Sequence, residues 1–322
     1  MTVAARGGAH PMNTTTQSLA LDQSRVALLL RDYAELTKLN VTTLIVMTAW
    51  CGYFFGARQA GLPSVGWRLL HALLGIAAVS SGTAALNEVM ERDVDAHMRR
   101  TARRPLPAGR MGVLHATLAG LLLTVGGSVY LAAFTNLLTA SLAFLTAVVY
   151  LAAYTPLKRV SPVCTTVGAL PGAMPGVIGW TAASGHLGWG VMALFAILFC
   201  WQFPHFFSIA WLYREDYARG GIRMLPVVES DGRSTELRIL LYSLLLAPAA
   251  VLPTLLGMAG WAYLAGAVII TALLFGFSLR LATLRMPMES PVSKLRARRL
   301  LQATVFYLPL LFLLMMCNSV RR

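Results

Sequence analysis

The chain has 322 residues, of which 57% are hydrophobic and only 12% are charged. Soluble domains usually carry about 25% charged residues, so the composition excludes an ordinary soluble protein and predicts a polytopic membrane protein. The net charge of +14 does not indicate nucleic-acid binding, because a basic face beside anionic lipid accounts for it.

The N-terminal region is predicted to lie outside the membrane. Residues 1–30 begin with a polar stretch that contains Thr and Ser, and they are expected to form a flexible cytoplasmic tail. They lack the basic, apolar and small-residue regions of a secretory signal peptide. The segment RDYAELTKL (31–39) predicts an interfacial helix, and residues 31–322 are expected to form a single domain.

Nine apolar runs follow, each of a length suited to crossing a bilayer. They lie at 41–57, 69–90, 113–134, 136–154, 163–183, 187–210, 239–258, 260–280 and 301–317. The sequence therefore predicts an all-α membrane protein with nine transmembrane helices.

The distribution of basic residues predicts the orientation of these helices. With a cytoplasmic N-terminus, only Arg58, Arg68, Arg321 and Arg322 of the 27 Lys and Arg residues fall on the far side, which is the positive-inside pattern. All 13 Asp and Glu residues fall on the cytoplasmic side as well. We therefore expect a periplasmic C-terminus, a bacterial inner membrane and an active site that opens to the cytoplasm.

The densest charge cluster follows the second apolar run, in NEVMERDVDAHMRRTARRPLP (87–107). Asn87, Glu91 and Asp95 recur every four residues, so they line one face of a helix over roughly 12 Å. Their oxygen atoms suit Mg²⁺, which proteins bind through one or two carboxylates together with substrate phosphates. The spacing predicts that these three residues are catalytic metal ligands.

Further charged residues complete this predicted Mg²⁺–diphosphate site. Arg100 and Arg104 repeat the four-residue spacing, and guanidinium groups match phosphate oxygens in bidentate fashion. Asp216, in the second acidic cluster WLYREDYARGGIRMLPVV, is the candidate for a further catalytic metal ligand, and Glu215 is a weaker one. An ordinary polar loop is the alternative interpretation of that cluster.

The segment YTPLKR (154–159) lies between the two clusters. Pro156 disfavours helical geometry at Thr155, so the fourth span is predicted to break there. Lys158 and Tyr154 are then candidate diphosphate contacts. The alternative is a lysine that extends to the membrane surface beside an interfacial tyrosine.

A solvated helix end is the alternative interpretation of the first cluster. Ion pairs between Glu88 and Arg92, and between Asp95 and Arg99, have the required four-residue spacing. The alternative is weakened because Asn87 and Glu88 still lie within the apolar helix, where polar side chains are costly and mark functional sites.

Three stretches of the sequence resemble a known group of proteins. They are NEVMERDVDAHMRRTARRPLP, YTPLKRVSPVCTTVGALPGAMPGVIGW and WQFPHFFSIAWLYREDYARGGIRMLPV. Together they resemble the intramembrane aromatic prenyltransferases, in particular the protohaem IX farnesyltransferase branch, over about residues 30–317. The resemblance implies a nine-helix bundle in which two Asp-rich motifs hold Mg²⁺ and an isoprenoid diphosphate. Glu91 departs from that pattern, because the wider superfamily often has Asp at this position.

The resemblance also implies a reaction and its substrates. Farnesyl diphosphate would ionise, the 2-vinyl group of haem B would attack the allylic cation, and water would complete haem O. His205, in WQFPHFF, is then the candidate haem ligand, and the alternative is a core histidine bonded to a neighbouring helix. The resemblance thus implies haem B as a substrate rather than a cofactor and a downstream haem A synthase as a candidate partner. The lipid bilayer is expected as a further partner.

Two rival functions are compatible with parts of the sequence. A quinone-pathway prenyltransferase acting on a phenolic acid would use the same metal motifs, but it gives no reason for WQFPHFF or RRTARRPLP. A membrane transporter would place polar residues near the bilayer midplane on broken helices, whereas the acidic residues here gather at one face.

Overall fold

The computed structural model describes residues 26–283 and 286–320, and helices account for most of them. This part of the chain contains nine helices of at least 21 residues. They are α1 Leu39–Gln59, α2 Trp67–Ala96, α3 Val113–Phe134, α4 Leu137–Leu157, α5 Cys164–Ser184, α6 Trp189–Leu212, α7 Arg233–Leu255, α8 Trp261–Ala282 and α9 Pro291–Cys317. The short helices Arg214–Arg219 and Leu225–Val228 connect α6 to α7. The all-α prediction is confirmed.

Eight of the nine long helices within the described ranges are long and apolar enough to cross a membrane. The exception is α5, which contains Pro171 and Pro175 and is buried over most of its length. The chain is thus a multi-pass membrane protein, while the count of nine spans and the predicted orientation stay predictions.

The helices extend further than the apolar runs at the charged end of the bundle. Helix α2 continues to Ala96 and α9 begins at Pro291, because a helix does not have to end where its apolar sequence ends. Residues 26–36 are helical, so the prediction of a flexible tail is wrong for residues 26–30. The rest of that predicted tail, 1–25, lies outside the described residues.

Helix α5 lies at the centre of the packing, since it contacts α1, α4 and α6. A Cβ atom at Gly52 of α1 would lie 2.0 Å from the carbonyl oxygen of Gly176, and one at Gly179 would lie 1.9 Å from that of Ala49. Real Cβ atoms do not approach so closely, so glycine is needed at both positions. Small residues let the two helix backbones meet, as is common between transmembrane helices.

The end of the bundle away from the charge clusters carries a ring of tryptophans. Trp67, Trp189 and Trp261 are the first residues of α2, α6 and α8. Each is at least 77% exposed. Tryptophan favours the boundary between lipid and water, so these side chains mark that boundary on one side of the membrane.

The contact between α1 and α5 gives a stability prediction. We expect Gly179→Ala to lower the thermal stability of the protein in detergent, because overpacking costs about 1–3 kcal/mol. Gly276→Ala on α8 is the matched control, since a Cβ there meets no described atom within 4 Å. Equal melting temperatures for the two variants would contradict the close α1–α5 contact.

Candidate active site

The candidate site lies on the last turns of α2. Asn87 has no exposed surface and Asp95 is 1% exposed, although both are polar and follow an apolar run. Helix α2 continues without a break through this region, so the predicted helical face forms. Buried polar groups require partners, and each of the three metal ligands predicted on α2 has one.

Each of these partners is a cationic side chain from a different segment. Lys38 Nζ donates to Asn87 Oδ1 at 2.7 Å, and Lys158 Nζ donates to Glu91 Oε1 at 2.8 Å.

Arg104 Nη1 donates to Asp95 Oδ2 at 2.6 Å. The structure therefore brings together the three predicted oxygen ligands and two of the predicted phosphate contacts, Arg104 and Lys158.

The ion pairs of a solvated helix end are not formed. Among the ion pairs of the described ranges, Arg92 contacts Asp93 at 3.4 Å rather than Glu88, and Asp95 contacts Arg104 rather than Arg99. That alternative interpretation of the first cluster is wrong, because Asp95 faces the protein interior instead of water.

Lys38 is a site residue that the sequence analysis missed. It has a left-handed backbone, with φ 47° and ψ 52°, immediately before α1. This conformation is uncommon for a residue with a side chain, and it accompanies the contact with Asn87. Burial and the nearby charges of Arg104 and Lys158 lower the pKa of Lys38 to about 8. The signal available in the sequence was its position as the last basic residue before the first apolar run.

Helix α4 reaches the site through a π-helical turn at Val149–Tyr154. The backbone N–H of Thr155 donates to the carbonyl of Tyr150, five residues earlier. The prediction that Pro156 breaks the fourth span is wrong, because residues Thr155–Leu157 are helical. The wider turn shifts the hydrogen-bond register just ahead of the proline, and π-turns are frequent at functional sites.

The same turn positions two groups against α2. Thr155 Oγ1 accepts a hydrogen bond from Asn87 Nδ2 at 3.0 Å and donates one to the carbonyl of Tyr150. Lys158 Nζ lies 4.5 Å from the centroid of the Tyr154 ring. Tyr154 is therefore beside the site through its ring, as a cation–π partner of Lys158.

Asp216 holds the loop that follows α2. Its carboxylate accepts hydrogen bonds from the backbone N–H groups of Arg99 at 2.8 Å and Arg100 at 3.1 Å, and it pairs with Arg219. Burial opposes ionisation, yet the two backbone N–H groups and the Arg219 guanidinium hold the pKa of Asp216 below its ordinary value.

No cluster of three or more His, Cys, Asp or Glu side chains suited to a metal ion occurs within residues 26–283 and 286–320. The role of Asp216 as a further metal ligand stays a prediction. Glu215, the weaker candidate, is exposed and pairs with Lys294 at 3.1 Å.

Arg100 is separated from Arg104, although the two share a four-residue spacing. Arg100 is exposed, and its guanidinium lies 5.3 Å from the ring centroid of Tyr213 and 5.8 Å from that of Tyr217. The chain is no longer a regular helix after Ala96, so the spacing does not place the two side chains on one face.

An apolar cavity of about 160 Å³ lies between α1, α2, α4 and α5. Lys38, Thr83 and Tyr150 line the end nearest Asn87. The opposite wall consists of apolar side chains, including Ile45, Ile76, Val79, Ala143, Ala147 and Ile178. From residue 83 to residue 76 of α2 the cavity extends roughly 10 Å along the helix. The uniform apolar character of the sequence gave no signal for this lining.

His205 lies on α6 and contacts α9. Its Nδ1 is 2.9 Å from Thr304 Oγ1, and its ring stacks on Trp201 with centroids 4.8 Å apart. Trp201 Nε1 donates to the carbonyl of the same threonine. Within the described residues, none of these contacts joins His205 to the face of α2.

Comparison with known proteins identifies the family. Residues 45–295 match the model of the UbiA prenyltransferase family. The protoheme IX farnesyltransferase of Koribacter versatilis is 60% identical over 307 residues, which cover 95% of this chain and 99% of that protein. The protoheme IX farnesyltransferase of Solibacter usitatus is 48% identical over 295 residues, with 90% and 99% coverage.

Solved structures show the same fold. A structure of digeranylgeranylglyceryl phosphate synthase has a TM-score of 0.72 and 16% identity, and the match covers 90% of this chain and 98% of that one. A UbiA homologue from Archaeoglobus fulgidus bound to GPP and Mg²⁺ has a TM-score of 0.59 and 17% identity, with 88% and 99% coverage. The chain belongs to the UbiA prenyltransferase family and to its protoheme IX farnesyltransferase branch.

Proposed function

We propose that this chain transfers the farnesyl group of farnesyl diphosphate to the 2-vinyl group of haem B and adds water, which gives haem O. The observation that carries the proposal is the row of Asn87, Glu91 and Asp95, each paired with a separate cation, at the head of an apolar cavity. The haem acceptor is supported by relatives called protoheme IX farnesyltransferase, one of them 60% identical.

The donor set on α2 fits Mg²⁺. One amide oxygen and two carboxylates follow each other at one-turn intervals, and Mg²⁺ prefers such hard oxygen ligands. Asn87, Glu91 and Asp95 would hold the ion, with Asp216 proposed as a further ligand. When bound, Mg²⁺ supplies positive charge that stabilises the departing diphosphate.

The three cations around α2 would bind the diphosphate. In the structure Lys38, Lys158 and Arg104 neutralise or cap the oxygen ligands. When the diphosphate and Mg²⁺ bind, these side chains would release the oxygen atoms of Asn87, Glu91 and Asp95 and bind phosphate oxygen atoms instead. None of these three cations would then be left unpaired in either state, which matters because an unpaired buried charge costs about 3–5 kcal/mol.

Two further predicted contacts lie at the edge of this arrangement. Tyr154 would hold Lys158 in place through its ring, and Arg100 would meet the diphosphate at the exposed rim, where it lies beside Tyr213.

The reaction would proceed by transfer of an allylic group. The bond between C1 of the farnesyl chain and the diphosphate oxygen breaks, and its electron pair leaves with the diphosphate. The π electrons of the haem vinyl group form the new carbon–carbon bond. Water then adds to the remaining cationic carbon and releases a proton. The apolar wall of the cavity would keep water away from the farnesyl chain until the carbon–carbon bond has formed.

The haem is proposed to contact His205. Thr304 holds one ring nitrogen of this histidine, and imidazole is a common axial ligand of haem iron. We further propose a bacterial inner membrane location with the site open to the cytoplasm. A downstream haem A synthase as recipient of haem O stays a prediction.

The metal ligands are tested by removing one charge. Asp95→Asn keeps the side-chain size and an acceptor for Arg104, and we expect turnover to fall by about 10²-fold or more, as for other losses of charge stabilisation. Mass spectrometry of extracted haem measures the product. Asp93→Asn is the control, because it removes the same charge from a side chain that is 83% exposed. Equal activities of the two variants would refute the metal assignment.

The cavity is tested with prenyl chains of different length. Ala143 lines the cavity and is 3% exposed. Ala143→Leu should lower kcat/KM for farnesyl diphosphate about tenfold relative to geranyl diphosphate, because overpacking costs about 1–3 kcal/mol. Ala152→Leu changes an exposed residue of the same helix and should leave the ratio unchanged. A ratio that is unchanged in Ala143→Leu would place the farnesyl chain elsewhere.

The haem contact is tested by absorbance titration. We expect His205→Ala to weaken haem binding and to alter the haem spectrum. Farnesyl diphosphate should still bind, because His205 makes no described contact with α2. His71→Ala is the control, since His71 is bonded to Tyr130 on α3. A haem affinity and spectrum equal to those of the unchanged chain would remove His205 as a ligand.

A further inference from the structure

A basic cleft lies between the end of α8 and the start of α9. It is lined by Phe277, Arg280, Arg296 and Arg299 and has a volume of about 240 Å³. These helices are not the ones that carry the diphosphate-site residues or line the apolar cavity. The proposed reaction does not involve these arginines.

The three guanidinium groups of the cleft lack acidic partners. None of them forms an ion pair with any Asp or Glu of the described ranges. Arg296 donates to the backbone carbonyl of Arg280, which fixes its position between the two helices. Three like charges around one small volume repel each other, so an anion there would be stabilising. Guanidinium groups match phosphate oxygens better than any other common side chain.

The surroundings of the cleft are apolar and exposed. Leu273, one turn from Phe277, is 60% exposed, and Phe306, two turns from Arg299, is 73% exposed. Exposed apolar side chains on membrane-spanning helices are suited to contact with lipid acyl chains, which are as apolar as leucine. The cleft therefore places guanidinium groups suited to phosphate beside an apolar surface suited to hydrocarbon. A phospholipid has both parts, a phosphate headgroup and acyl chains.

We propose that the cleft binds the phosphate of an anionic phospholipid and thereby stabilises the α8–α9 pair. Basic pockets between transmembrane helices recognise such headgroups, and each arginine near the lipid surface contributes. The proposal is independent of the reaction assigned to the chain, since it concerns other residues and another ligand.

A binding experiment tests the cleft directly. The full chain in neutral detergent is titrated with phosphatidylglycerol, and bound lipid is counted by native mass spectrometry. Arg299→Gln should weaken binding about fivefold, because it removes one of the three guanidinium groups that would contact the phosphate. Arg298→Gln, an exposed neighbour on the same helix that does not line the cleft, should leave binding unchanged. Equal losses in both variants, or no loss in Arg299→Gln, would overturn the proposal.

Thermal unfolding separates a lipid from a soluble anion. Phosphatidylglycerol should raise the melting temperature of the unchanged chain and of Arg298→Gln, but raise it less in Arg299→Gln. Phosphatidylcholine, in which choline balances the phosphate charge, should protect less. Inorganic phosphate should not protect. Protection by inorganic phosphate as strong as that by phosphatidylglycerol would show a free-anion site and contradict the lipid assignment.

Discussion

The structure depends on the neutralisation of polar oxygen atoms inside an apolar bundle. Asn87, Glu91 and Asp95 lie at the end of α2, where an unpaired carboxylate would be costly. Each receives a cation from a different segment: Lys38 before α1, Lys158 after α4 and Arg104 in the loop after α2. The same contacts therefore fix the charged ends of three segments relative to α2. At this position the contacts that pair the charges of the site are also contacts between segments of the bundle.

The apolar cavity follows from that arrangement. Helices α1, α2 and α4 are held together at their charged ends, and α5 closes the space from the side. Gly52 and Gly179 allow α5 to approach α1, which brings Ile178 into the cavity wall. The charged site and the apolar cavity are consequently adjacent. An isoprenoid diphosphate likewise has a charged diphosphate at one end and a hydrocarbon chain at the other.

The sequence predicts those parts of the molecule that depend on local periodicity. The apolar runs gave the helices, and the four-residue spacing gave the face of Asn87, Glu91 and Asp95, because a helix repeats every 3.6 residues. Features that depend on tertiary contacts or on irregular backbone were not predicted. Arg100 and Arg104 were placed together on a helical spacing, yet the helix ends at Ala96.

The contacts between distant segments could not be predicted from the sequence either. Lys38 is marked in the sequence only as the last basic residue before the first apolar run. No local pattern predicts its left-handed backbone or its partner 49 positions away. The helical course through Pro156 depends on a π-turn ahead of it. Asp216 was predicted from its place in the second acidic cluster, and its observed partners include backbone N–H groups of a distant loop.

The charges at the end of α2 are proposed to serve transfer of a farnesyl group to haem. The most direct measurement incubates the purified chain with haem B, farnesyl diphosphate and Mg²⁺, and determines the mass of the extracted haem. We expect a haem heavier by a farnesyl group plus water, and no such product when Mg²⁺ is omitted. Unchanged haem with folded protein, whether farnesyl passes to a phenolic acid or to no acceptor at all, would contradict it.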